Sequence, residues 1–214
     1  MLDGRSDENG VDCGFGGCRY SRPSDRHDRF ENVSPKLALL YKLSTQHNAY
    51  ANLAHGFRAP QATELYRLQR EQSQANLQSE ELRSVELGLR GFIRALRYDV
   101  ALFSMEKDHV VFRDSDYFNV ANGSTVHQGL EITMAYDFNR QWSWNMAASF
   151  AKHQYNDERI LNSVAIDGND IDSAPRHFGS MQLAWQPTEL SQLELEWVHQ
   201  GQYYTDPENL HEYG

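Results

Sequence analysis

The chain has 214 residues and a formal net charge of −10, with its acidic residues spread along its length. No apolar run approaches the ~18–20 residues of a membrane helix, and no Lys/Arg patch interleaves with aromatics, which excludes a nucleic-acid surface. Mean hydropathy is negative, but that excludes little, because a transmembrane β-barrel needs an apolar residue only at every second strand position.

Residues 1–33 are rich in Asp, Arg, Gly and Ser and read as one long polar loop. It holds the only two cysteines, Cys13 and Cys18, separated by glycines and a phenylalanine. Two cysteines this close either form a small disulfide loop in an oxidising compartment or stay free thiols. A zinc site needs two further ligands, and only His27 is near.

From about residue 34 the pattern becomes period-2 alternation, the mark of strands with one apolar face. Leu37, Leu39, Tyr41 and Leu43 form a first apolar row, and Ala49, Ala51 and Leu53 a weaker second one. Val85, Leu87 and Leu89 form the third, and Tyr98, Val100 and Leu102 the fourth. Leu130, Ile132, Met134, Tyr136 and Phe138 follow, alternating with Glu131, Thr133, Ala135 and Asp137. Asn139-Arg140 then reads as a tight turn into Trp142, Trp144, Met146, Ala148 and Phe150, which predicts a hairpin. Met181, Leu183 and Trp185, then Leu193, Leu195 and Trp197, bring the predicted strands to about eight.

Alternation leaves open which face is wet. In a soluble sandwich the apolar face packs on a second sheet, and in a membrane barrel it meets lipid. The connections favour the barrel. Short links at 44–47, 91–95, 139–140 and 186–190 alternate with long ones at 55–80, 107–126 and 152–176, with 1–33 and 200–214 also read as loop. All long loops then lie at one end, as in outer-membrane barrels. The predicted strands run about nine to thirteen residues, near the ~9–11 of a tilted membrane strand and longer than the usual soluble one. Tyr41, Phe138, Trp142 and Trp185 fall beside short turns, where an aromatic girdle belongs. The expected fold is all-β, an antiparallel up-and-down meander forming a partial segment of a large transmembrane β-barrel.

The segment running from Ala49 through Gly56, Phe57, Arg58, Ala59 and Pro60 to Glu64-Leu65-Tyr66 resembles the "GFRAP…ELY" stretch of TonB-dependent outer-membrane receptors. Leu77-Gln78-Ser79-Glu80 with Val85-Glu86-Leu87-Gly88 is similar to that family's "L-x-x-E…E-x-G" segment, with Ser79 where the family usually has Pro. Asp99-Val100-Ala101-Leu102-Phe103, Asn119-Val120-Ala121-Asn122-Gly123, Gln128-Gly129-Leu130-Glu131 and Ala174-Pro175-Arg176-His177 continue the series in order. The resemblance covers about residues 34–214 and is closest to receptors for iron complexes and related small nutrients. It implies a bacterial outer-membrane location, contact with outer-membrane lipid, and uptake of an iron chelate or similar nutrient. It also implies TonB as partner, through a segment that precedes the barrel in this family.

Family barrels of about 22 strands surround a plug. The resemblance therefore places a leader, a plug and further strands outside this chain, and His211-Glu212-Tyr213-Gly214 resembles the start of another strand. The alternatives are a passive porin-like or adhesin barrel and, further off, a soluble ligand-binding β-sandwich.

Site expectations are few. No nucleophile elbow, complete phosphate loop or His-Glu-x-x-His motif is present, so no enzyme is expected. The nine histidines are scattered singly. Asp167, Asn169, Asp170 and Asp172 crowd hard oxygen donors into six residues, either a Ca²⁺ site or a solvated acidic turn. Asp206-Pro207-Glu208-Asn209 is a weaker version of the same idea. Tyr117, Phe118, Tyr155, Tyr203 and Tyr204 are candidate aromatic contacts for a ligand in the vestibule. Gly129, Glu131, Pro60 and an Arg58–Glu64 pair read as barrel-building features. A residue without Cβ at Gly129 relieves crowding where a strand begins, and Pro60 holds Ala59 extended.

Overall fold

The structure, a computed structural model, describes residues 20–21, 27–66, 68–69, 77–113 and 119–214. In chain order the strands are β1 (Tyr20–Ser21), β2 (Lys36–Lys42) and β3 (His47–Arg58), then helix α1 (Ala62–Tyr66) and strand β4 (Leu68–Gln69). There follow β5 (Glu80–Ile93), β6 (Leu96–Arg113), β7 (Asn119–Asp137) and β8 (Trp142–Tyr155). A small hairpin, β9 (Ile160–Leu161) and β10 (Val164–Ala165), precedes β11 (His177–Thr188) and β12 (Ser191–Gln200). A second small hairpin, β13 (Tyr203–Tyr204) and β14 (Glu212–Tyr213), is the last of the described elements.

Eight strands form one sheet in the order β2-β3-β5-β6-β7-β8-β11-β12, each antiparallel to its neighbour. This is the expected meander. Its short connections are built from local chemistry. Ser44 Oγ accepts the amides of Gln46 and His47 at 3.1 Å. Asn139 Oδ1 accepts those of Gln141 and Trp142 at 2.8 and 3.0 Å, an Asx turn. Arg94 turns the chain in the left-handed region, with φ 55°.

Among the described residues no second layer covers the sheet. Leu39, Leu87 and Leu195 on its apolar face are 66%, 56% and 68% exposed. Ile132 and Trp144 are half-buried by their own sheet neighbours. The two clusters of buried apolar residues lie at the long-loop end of the sheet: Leu65 with Leu77, and Tyr155, the last residue of β8, with Leu161 and Ile166. A soluble sandwich would bury the apolar rows against each other. Here they stay open, as a lipid-facing surface must.

The register sets the tilt. One outward row passes from Tyr41 through Ala49, Leu89, Val100, Ile132, Ala148 and Gly179 to His199. It begins beside a short turn in β2 and ends near the long-loop end of β12. Such stagger is what strands tilted around a barrel wall require.

The apolar band has a definite upper limit. Leu53, Val85, Leu102, Leu130 and Phe150 are the last residues of its unbroken outward rows. Two positions further on stand His55, Arg83, Ser104, Gln128 and Lys152. From Leu130 to Phe138 and from Trp142 to Phe150 the band is about nine residues tall, the length of a tilted transmembrane strand. At its lower edge Trp142 stacks on Trp185 at 5.5 Å, and Tyr136 meets Phe138 edge-on at 4.8 Å, as a girdle at a membrane interface would.

Two expectations are corrected. β6 and β7 have 18 and 19 residues, so most of the segment 107–126, read as loop, is strand. Above the band apolar residues such as Val110 and Val111 stand side by side among Glu106, Lys107, Asp108 and Ser124, so the alternation that marks strands disappears although backbone pairing continues through two register shifts. Gly129, read as a strand start, lies inside β7 with unbroken register on either side. The crowding expected there is real. A Cβ would lie 2.7 Å from the Phe150 carbonyl oxygen and 2.8 Å from both Ala151 Cβ and the Phe103 ring.

Candidate functional site

The inward face of the sheet is polar, and its side chains are cross-linked. Asn52 Nδ2 donates to Glu86 Oε1 at 3.0 Å, directly across the β3–β5 pair. Tyr50 donates its hydroxyl to Asp99 Oδ1 at 2.9 Å, reaching over β5 to β6. Its ring fills the space above Gly88, where a Cβ would lie 2.0 Å from Cζ. The Arg90 guanidinium sits 5.4 Å from the ring centroid, at cation–π range. Phe103 covers Gly129 in the same way, so two inward aromatics each lie over a glycine on the next strand. Facing a lumen, this surface offers fixed hydrogen-bonding groups to water or a polar solute.

At the long-loop end Arg58 closes β3. Its Nε and Nη2 donate to the two oxygens of Glu80 at 2.7 and 2.6 Å, and Nη1 and Nη2 to Glu64 at 3.2 and 3.1 Å. Glu64 also accepts the Gln61 amide at 2.7 Å, which caps α1 from its third residue. The Arg58–Glu64 pair expected from the sequence is therefore part of a three-member clamp. Phe57 remains largely exposed, and nothing lies within 4 Å of the place a Cβ would take at Gly56. Pro60 follows the end of β3, and Glu131 stands opposite Ala101 and Ser149 on the inward face.

A second network ties residues 152–176 to residues 200–214. Asp170 donates its amide to Asn209 Oδ1 and receives Asn209 Nδ2 at its carbonyl, both at 2.8 Å. Asn169 Nδ2 donates to the Pro207 carbonyl at 3.0 Å, and Asn162 Nδ2 to Glu208 at 2.9 Å. The donor set read as a possible Ca²⁺ site is thus dispersed. Asp170 is held by Arg176 at 2.7 and 3.0 Å, and Asp172 accepts the Tyr155 hydroxyl at 2.7 Å. Asp167 is exposed. Among the described residues no three or more His, Cys, Asp or Glu side chains converge on a metal position. Short sequence spacing does not make carboxylates point at one centre, and here nearby donors take them instead.

Asp206 organises the same region. Its oxygens accept the Leu210 and His211 amides at 2.9 Å and meet His211 Nδ1 at 3.0 Å. Burial alone pushes this carboxyl up; the backbone bonds and the imidazole outweigh it and hold it below the usual carboxylate value. A carboxylate with a depressed native value stabilises the fold above its ordinary pKa of 3.8. That stabilisation is lost as pH falls through the lower native value. Amide-exchange protection at Leu210 and His211 is therefore expected to be full near neutral pH and to fall as the pH is taken below the ordinary carboxylate value of 3.8. Unchanged protection over that range would rule out this role for Asp206.

The aromatic candidates separate. Tyr155 is 2% exposed and packs on Leu161 and Ile166 beneath the loops. It is a loop-core residue rather than a ligand contact, because its hydroxyl finds Asp172 and its ring completes an apolar cluster. Tyr203 and Tyr204 are half-exposed and line a polar cleft of about 260 Å³ with Asp170, Arg176, His177 and Glu212. Tyr117, Phe118, Cys13 and Cys18 lie outside the described residues.

One arrangement escaped the sequence reading. His127 and His153 face each other across β7 and β8, with Nδ1 atoms 2.9 Å apart. The signal was available: both lie equally far along the chain from Arg140, in the turn of the predicted hairpin.

The family model described as "TonB dependent receptor-like, beta-barrel" matches residues 11–214. A vitamin B12 transporter from Vibrio vulnificus (strain CMCP6) is 25% identical over 138 residues, 61% of this chain and 21% of that protein. The ferric yersiniabactin uptake receptor from Yersinia pestis superposes with a TM-score of 0.65 at 19% identity, covering 83% of this chain and 27% of the receptor. The ferric enterobactin receptor from Pseudomonas aeruginosa superposes with a TM-score of 0.66 at 19% identity, covering 82% and 29%. The chain thus spans between about a fifth and a third of the length of these relatives.

Proposed function

Because this chain belongs to the TonB-dependent receptor β-barrel family, we propose that it forms part of the wall of a transporter that takes up an iron chelate or a similar small nutrient. Members of the family are bacterial outer-membrane proteins. Vitamin B12, ferric yersiniabactin and ferric enterobactin, which name those relatives, set the class of nutrient. TonB is the energising partner, acting on the complete receptor, and outer-membrane lipid covers the apolar rows. The ligand crosses chemically unchanged.

The observation that carries this reading is the two-sided single sheet. Its outward face is apolar, over about nine residues in β7 and β8, and its inward face bears the Asn52–Glu86 and Tyr50–Asp99 bonds. A wall of this kind separates lipid from a wet interior. Loop latching at one rim, through Asn209 and Asp170, supports a preformed vestibule.

The test is uptake by cells whose supply of a ferric chelate depends on the receptor containing this chain. Uptake is expected to stop when TonB is deleted. Uptake that continues unchanged would instead identify a passive, porin-like barrel.

A further inference from the structure

We propose that His127 and His153 form a bidentate site for a divalent transition-metal ion, Cu(II) or Ni(II) in preference to Zn(II), on the inward face of the β7–β8 hairpin. The site does not depend on which nutrient the receptor carries.

The two residues are direct cross-strand partners, so the backbone ladder holds their separation. The Nδ1 atoms stand 2.9 Å apart, with ring centroids at 5.1 Å. A metal bound to imidazole at ~2.0–2.1 Å from each nitrogen then sees them at an angle of about 90°. That angle suits the square-planar or tetragonal geometry of Cu(II) and Ni(II). A tetrahedral Zn(II) would need the nitrogens about 0.4 Å further apart.

The surroundings supply the rest of a ligand's requirements. Thr125 Oγ1 lies 3.0 Å from His127 Nε2 and is on a residue only 2% exposed. By accepting the Nε2 proton it leaves the Nδ1 lone pair of His127 pointing at His153. Metal-binding histidines regularly have such a partner on the other ring nitrogen. The metal-free pair shares one proton between its Nδ1 atoms. On binding, that proton moves to His153 Nε2 through solvent and the metal, set off the line between the two Nδ1 atoms, bonds to both, so two neutral imidazoles become two ligands.

Access agrees. The pair lies above the outward row of Gln128 and Lys152, beyond the apolar band, and both rings are half-buried, leaving coordination positions open to water. Lys107 on β6, opposite Thr125, repels a bound cation, while Asp170 is engaged by Arg176.

The experiment uses the complete receptor in detergent, with Cu(II) alone as the probe. The electron paramagnetic resonance spectrum of the bound ion is expected to show two imidazole nitrogens. His127→Ala and His153→Ala should each weaken Cu(II) binding at least about tenfold, and Thr125→Val roughly tenfold. Lys107→Ala should tighten binding, a gain that misfolding does not produce. A His127→Ala/His153→Ala double variant that binds Cu(II) as tightly as the parent would overturn the proposal. So would a parent spectrum with a single imidazole nitrogen.

Discussion

Ile132→Arg is expected to destabilise the receptor by about 2–4 kcal/mol in a lipid bilayer, the cost of an arginine at the middle of a barrel's lipid face. Ile132 stands in the outward row between Val100 and Ala148, inside the apolar band. Its neighbour in the chain provides the control. Thr133 points inward, directly opposite Asp99 and Ala147, so Thr133→Arg places the same charge on the wet face beside a carboxylate. That variant should stay within about 0.5 kcal/mol of the parent. Denaturant unfolding of the two variants in lipid vesicles distinguishes the faces. Equal costs, or the larger cost at position 133, would mean that lipid does not cover the apolar rows.

Gly129→Val is expected to cost about 1–3 kcal/mol, as overpacking does in a close-packed setting, and to lower the yield of assembled barrel. The Phe103 ring can turn aside, but the Phe150 carbonyl oxygen, 2.7 Å from the new Cβ, belongs to the backbone of the paired strand. Relief therefore requires β7 and β8 to part at Gly129↔Ala151, in the middle of an uninterrupted ladder. Gly56 gives the contrast within the same sheet. Nothing lies within 4 Å of a Cβ there, so Gly56→Ala should be neutral or stabilise by up to about 1 kcal/mol through the unfolded chain. Heat-modifiability on gels and unfolding in vesicles would measure both. A Gly129→Val barrel as stable as the Gly56→Ala barrel would show that the close approach of these strands carries no energetic weight.

These two substitutions rest on different kinds of information. The face of Ile132 can be read from alternation alone, because lipid imposes one apolar side on every strand it touches. Gly129 could be marked as special from its lack of a side chain, but not located. Its place inside β7, and the identity of Phe103 as the ring above it, come only from the register. The clamp on Arg58 divides in the same way. Glu64 was within reach along the chain, whereas Glu80 arrives through the β3–β5 pairing.

The sequence by itself determined the eight alternating rows, the alternation of short and long connections, and the two-faced character of the sheet. Each follows from local periodicity enforced by a lipid boundary. Tertiary structure decided most of what lies above that boundary. There the β6–β7 hairpin continues through two register shifts with apolar and polar residues mixed on each face, so periodicity falls silent. It also decided which groups at the long-loop end meet: Tyr155 with Asp172, and Asp170 with Asn209. Those pairings depend on strand register and on competition among many nearby hydrogen-bonding groups, neither of which a residue's immediate neighbours in the chain can specify.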